Sequence, residues 1–180
     1  MSRPGRLWIG GLVAAGLALS LGHLHLGGGG ALRPGTPAPA LRLEDRAGSA
    51  LDLAGFRGHV VVLNFWATWC APCVAELPSL DRLDRALGRD GLVVLAVCVD
   101  ERAALARRFV DERRLGLRVL FDRGGAAAMS TFHVEGYPTT FVIDATGRIL
   151  ERHEGTADWD LPEALDHFRG LMSAVTAPTR

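Results

Sequence analysis

Two nearly continuous apolar runs limit this chain more than any other feature. Residues 59–66 read HVVVLNFW and residues 92–99 read LVVLAVCV. Both are rich in β-branched residues, and neither alternates polar with apolar. A strand with one wet face alternates; an apolar run without alternation is a strand buried on both faces. Between the runs, Leu77, Leu80, Leu83 and Leu87 recur at helical spacing, with Asp81, Arg82, Asp84 and Arg85 on the other face. Strand, helix, strand gives parallel strands and a covering helix. Gly88 follows the last apolar position and predicts a C-terminal cap. Pro78 inside the helix forfeits one hydrogen bond and predicts a kink.

The rest fits the same plan. Residues 101–114 predict a charged helix with Leu105, Phe109 and Val110 inward, and Val119 to Phe121 a short edge strand. A short helix follows at 126–132. Strands at 139–143 and 148–152 flank the turn Asp144-Ala145-Thr146-Gly147, and a last amphipathic helix covers 161–174. Upstream, residues 41–44 and 50–53 predict a hairpin around Arg46-Ala47-Gly48. The fold class is therefore α/β: a central mixed sheet flanked by helices, with an N-terminal hairpin extension.

The N-terminus is different material. Arg3 and Arg6 precede an uncharged run from Leu7 to Leu26, followed by Gly27 to Gly30. Basic residues before an apolar run mark a membrane anchor or a secretory signal. The run has 20 residues, about the length that crosses a bilayer. The anchor is the preferred reading; cleavage after Ala18-Leu19-Ser20, leaving a soluble periplasmic protein, is the alternative. Both put the domain at 31–175 on the extracytoplasmic side, where thiols tend to be oxidised. Residues 1–30 are then anchor and linker, and 176–180 a disordered tail. Twenty basic residues, all Arg, balance twenty Asp and Glu, so no strong field attracts nucleic acid. With no Lys in the chain, lysine is excluded as a catalytic group.

The chemistry lies in WATWCAPCVAELP, residues 66–78. Cys70 falls in the turn where the first buried strand gives way to a helix beginning around Cys73. Free N–H groups and the positive dipole end there stabilise a thiolate, the form that attacks disulfides. Pro72 suits the first helical turn, where a missing N–H costs nothing. This makes Cys70 the exposed nucleophile and Cys73 the resolving partner. A metal site needs two more ligands at compatible spacing. Only Cys98 and six scattered His remain, so metal binding ranks well below redox chemistry, and no metal residues are assigned. A passive staple ranks lower still, because a two-residue ring closes little chain.

VVLNFWATWCAPCVAELP, with GTPAPALRLED, LAVCVD and GYPTTFVIDATGRIL, resembles the thioredoxin superfamily. Within it the likeness is to the TlpA/ResA-like branch of membrane-anchored thiol–disulfide oxidoreductases, and covers about residues 35–170. The resemblance implies a thioredoxin-like fold, a redox-active Cys70–Cys73 disulfide and no other cofactor. It implies that Pro138 is a cis-proline against the cysteines, leaving the Tyr137 backbone free to pair with an extended substrate. It implies that Glu76, three residues after Cys73, tunes their proton chemistry; spacing alone supports equally a solvated first-turn acid. Asn64 stands where thioredoxin carries a buried acid, so Glu76 is the remaining general acid–base candidate. Trp69 is expected to shield the cysteines and meet a partner; Trp66 and Cys98 are expected in the core.

By resemblance, the chain is a dithiol reductant of exported proteins, recharged by a membrane thiol-electron transporter. Partners would be apocytochrome c, whose haem-site cysteines it reduces, or copper-site assembly proteins. The neighbouring CcmG/DsbE branch carries Gly-Ala-Pro-Glu where this chain has Gly136-Tyr137-Pro138-Thr139, so the general assignment is kept. Peroxiredoxins share the leading segment, but their Thr or Ser and Pro before the reactive Cys are missing here. A copper chaperone using both cysteines and His133 is the alternative; such chaperones usually space their cysteines by three residues, and here two intervene.

Overall fold

The computed structural model describes residues 32–176. Seven strands form one sheet: β1 (Arg42–Asp45), β2 (Ala50–Asp52), β3 (Val60–Trp66), β4 (Leu92–Cys98), β5 (Arg118–Phe121), β6 (Thr139–Ile143) and β7 (Ile149–Glu154). Four α-helices join them: α1 (Ala71–Leu87), α2 (Ala103–Glu112), α3 (Ala126–Ser130) and α4 (Pro162–Thr176). The spatial order is β2-β1-β5-β4-β3-β6-β7.

The two apolar runs are the centre of that order. β3 and β4 pair in parallel from Val60↔Leu92 to Trp66↔Cys98. All of β3 is buried, Asn64 included, which is why its sequence lacks alternation. β4 continues in parallel to β5, while β6 joins the other side of β3 antiparallel.

Side-chain contacts assign the helices to faces. On one face Asn64 bonds to Glu76 of α1, Trp66 packs on Phe109 of α2 at 5.6 Å, and Glu151 bonds to His167 of α4. On the other, Phe65 and Phe141 pack on Phe132, just after α3, at 5.1 and 5.4 Å.

Several expectations change. β5 is interior, because β1 pairs with it antiparallel and carries β2 to the edge. Leu105 is 46% exposed. Ala106, Phe109 and Val110 centre the inward stripe of α2, and Leu105 lies at its margin, nearly a quarter-turn off. Gly88 is right-handed and opens a 3-10 turn; the left-handed glycine that ends the segment is Gly91, at φ 109°. α1 begins at Ala71 rather than near Cys73, which puts Glu76 in the second turn and beyond the free N–H groups of the helix start. Thr176 closes α4 rather than opening a tail. The anchor and linker expected at 1–30, and residues 177–180, lie outside the described residues. Among the described residues, no helix is long and apolar enough to cross a membrane.

Candidate active site

The site forms where β3 runs into α1. Asp100, just past β4, accepts hydrogen bonds from the Thr68 N–H (3.1 Å) and hydroxyl (2.7 Å) and is buried. It ties the turn before Cys70 to the end of the neighbouring strand. Nothing in its own sequence context marked it beyond being an acid after an apolar run.

Cys70 is the N-cap residue of α1 and is disulfide-bonded to Cys73. The Cys73 N–H donates to Cys70 Sγ at 3.2 Å. In the reduced protein that donor, with the dipole end of a 17-residue helix behind it, favours the Cys70 thiolate. Cys70 is 6% exposed and Cys73 fully buried. Cys70 is therefore buried rather than exposed as expected from the sequence, although less deeply than Cys73.

Cys70 Sγ lies 3.5 Å from the Tyr137 carbonyl oxygen. The Tyr137–Pro138 peptide bond is cis and Pro138 is buried. Tyr137 packs edge-on against Trp69, ring centres 5.8 Å apart, and Trp69 is 68% exposed. The Tyr137 hydroxyl sits 3.0 Å from where a Cβ on Gly125 would stand, and Gly125 has φ 74°. The left-handed conformation favours glycine there, and a Cβ would have to displace the hydroxyl slightly. Burial, with the Asp122 charge adding to it, pushes the Tyr137 phenol up.

Glu76 is 2% exposed, which removes the reading of a solvated acid. Its Oε1 accepts from Asn64 Nδ2 at 2.8 Å, and its Oε2 from the Ala157 N–H at 2.8 Å. Burial pushes its carboxyl above the usual range; the Ala157 N–H, the Asn64 amide and the His153 charge oppose it without cancelling it. Asn64 Nδ2 also donates to Thr140 Oγ1 at 2.8 Å, while Asn64 Oδ1 is buried without a partner. Sequence reasoning placed Asn64 and Glu76 separately and missed that they bond. It missed Ala157 altogether, since its N–H reaches Glu76 from about eighty residues away, and with it Trp159, whose N–H donates to Ser79 Oγ beside it.

Trp66 is fully buried. So is Cys98, whose thiol burial pushes up to about 12; at that value it is not a thiolate at neutral pH. His133 has φ 50°, and its carbonyl accepts from Arg152. Among the described residues, no group of three or more His, Cys, Asp or Glu is arranged to hold a metal ion.

Comparison with known proteins agrees with this geometry. The Redoxin family model matches residues 33–167. The thiol–disulfide oxidoreductase ResA of Bacillus thuringiensis is 34% identical over 121 residues, 67% of this chain and 69% of that one. The thioredoxin-like protein YneN of Bacillus subtilis is 35% identical over 128 residues, 69% of this chain and 74% of that one. Among solved structures, a putative thiol:disulfide interchange protein DsbE from Chlorobium tepidum superposes with a TM-score of 0.68 at 29% identity, covering 80% of this chain and 98% of that one. A disulfide capping the helix after the central strand, against a cis-proline, defines the class: a thioredoxin-fold thiol–disulfide oxidoreductase. This chain belongs to the Redoxin family, among the ResA-like enzymes.

Proposed function

We propose that this enzyme works as a dithiol reductant of disulfides in exported proteins, with the haem-site cysteines of apocytochrome c as its substrate class. The Cys70 thiolate attacks one sulfur of the substrate disulfide. That bond breaks, a mixed disulfide forms, and the departing substrate thiolate takes a proton. Cys73 then gives its proton to Glu76 and attacks Cys70 Sγ. The second substrate thiol leaves, and Cys70–Cys73 is oxidised. Two electrons have moved from the Cys70–Cys73 pair to the substrate sulfurs, with no added cofactor. A membrane thiol-electron transporter supplies the next two.

The observation that carries this reading is the Tyr137 carbonyl beside Cys70 Sγ, on a surface with exposed Trp69. An extended substrate segment pairing there brings its disulfide onto the nucleophile. The apolar segment at 7–26 supports placing the domain on the extracytoplasmic side, anchored or released by cleavage.

The reduction potential tests the direction of flow. Equilibration of the purified chain with dithiothreitol or glutathione buffers is expected to give a value near thioredoxin's, about −270 mV. A value near about −120 mV would mark an oxidant and overturn the proposal. Cys73→Ser is expected to trap a mixed disulfide with apocytochrome c carrying an oxidised haem site, and Cys70→Ser to trap none.

A further inference from the structure

Outside the cysteine site, a group of titratable side chains lies on β7 and α4. Glu151 stands between two imidazoles: His153 Nε2 is 2.7 Å from its Oε2, and His167 Nε2 is 2.6 Å from its Oε1. Burial alone would raise the Glu151 carboxyl, but the bonds to His153 and His167 hold it below the usual range.

Sheet register connects this cluster to the active site. Asn64 lies opposite Thr140, and Thr140 opposite His153. Directly opposed residues point to the same face, so Asn64, Thr140 and His153 form one row across β3, β6 and β7. That row runs on the face covered by α1, where Asn64 bonds both Thr140 and Glu76. The far end closes as well. The His153 ring packs edge-on against Trp159 at 5.2 Å, and Trp159 is buried on the loop whose Ala157 N–H bonds Glu76.

We propose that His153 is a positioning residue of the active site: its ring, bonded to Glu151, sets the protonation of Glu76. This rests on the reading of Glu76 as the acid–base group of the exchange. Solvent screens part of the His153 charge, and the rest reaches Glu76 along the buried Asn64–Thr140 row. Few other charges compete. α1 contributes Cys73 and Glu76, β7 contributes Glu151, and α4 contributes His167. β3 and β6 contribute the neutral Asn64 and Thr140. On the covering loop Asp160 is paired with Arg82 of α1. With His153 charged, the Glu76 carboxylate is favoured and ready to take the Cys73 proton; with His153 neutral, Glu76 holds its own proton more firmly. His153 keeps about two-fifths of its side chain exposed, so the buried carboxyl responds to bulk pH through a group that water reaches.

The test reads Glu76 directly in the oxidised full-length chain, where neither active-site thiol titrates. Glutamate labelled at the side-chain carboxyl is followed by carbon NMR from pH 4 to 9, with Glu76→Gln identifying the resonance. His153→Gln is expected to move the Glu76 midpoint to higher pH. His153→Phe keeps an aromatic edge on Trp159 without the charge and is expected to move it the same way. A midpoint unmoved in both variants, each melting as a folded protein, would overturn the inference and leave the reductant reading standing. A shift in His153→Gln that His153→Phe restores would also overturn it, reducing His153 to a packing role. The exchange rate gives the functional half: His153→Gln is expected to displace its pH profile in the wild-type background and not in Glu76→Gln. If Glu76→Gln itself leaves the profile unchanged, the acid–base role of Glu76 falls, and this inference falls with it.

Discussion

Replacing Asn64 with Ala tests the buried polar row where it carries the most. Three consequences can be sized from the geometry. Glu76 Oε1 loses its 2.8 Å donor, and a hydrogen bond to a charged group contributes about 1.5–3 kcal/mol. Thr140 loses a partner at the same distance, but its hydroxyl can turn, so the cost stays near about 0.5–1 kcal/mol. Against these, the unpartnered Asn64 Oδ1 disappears, recovering about 1–3 kcal/mol of burial cost. A small cavity adds about 1 kcal/mol. The net expectation is a loss of about 2 kcal/mol at neutral pH. The sign of its pH dependence is fixed. Glu76 has a raised folded-state pKa, so its contribution is fully present below the unfolded carboxyl value of about 4.3 and is lost as pH rises through the folded value. Asn64 stabilises the ionised form, so its removal raises that value further. The gap between wild type and Asn64→Ala is therefore smallest near pH 4 and widens above it. Urea unfolding of the oxidised protein, followed by tryptophan fluorescence at several pH values, measures this gap. A gap that is constant from pH 4 to 8, or that narrows with rising pH, would refute the assignment of Asn64 as donor to the Glu76 carboxylate.

Other expectations are simpler. Cys98 in the native, reduced chain is expected to resist iodoacetamide at pH 8 while Cys70 reacts, because its thiol is pushed up to about 12; mass spectrometry of the alkylated peptides checks this. Trp69→Ala is expected to change stability by less than about 0.5 kcal/mol, since the ring is mostly exposed, yet to slow mixed-disulfide formation several-fold in a stopped-flow assay. Gly91→Ala is expected to cost about 1–2 kcal/mol in urea unfolding. Only His59 Cδ2, at 4.0 Å, stands near the new Cβ, so the loss would come from φ 109° rather than from crowding.

What the sequence made legible follows the range of the forces involved. β3 and β4 could be read because burial on both faces writes apolar residues at every position except Asn64. The helix after the cysteines could be read because Leu77, Leu80, Leu83 and Leu87 all face the core. The cis peptide before Pro138 came only from resemblance, since local sequence favours trans. The error at Leu105 was one of angle on a helix, where a margin position reads as apolar but packs on little. Gly88 was mistaken for Gly91 because a 3-10 turn extended the helix beyond its last leucine. The setting of Glu76 was out of reach for a different reason. Asn64 and Ala157 are brought to it by strand order and by one loop, and no local pattern records that.

The two outer strands of the sheet bear on what this protein can safely handle. β2 has three residues, and β7 carries Glu151, Arg152, His153 and Glu154 in succession. Short or heavily charged borders are poor templates for another chain's backbone. An enzyme whose clients arrive unfolded meets many extended segments, each able to stick to an open sheet. Here the borders discourage that adhesion, while the Tyr137 carbonyl offers a single backbone acceptor beside the reactive sulfur. If the substrates are the exported proteins proposed above, capture is thereby concentrated where chemistry follows.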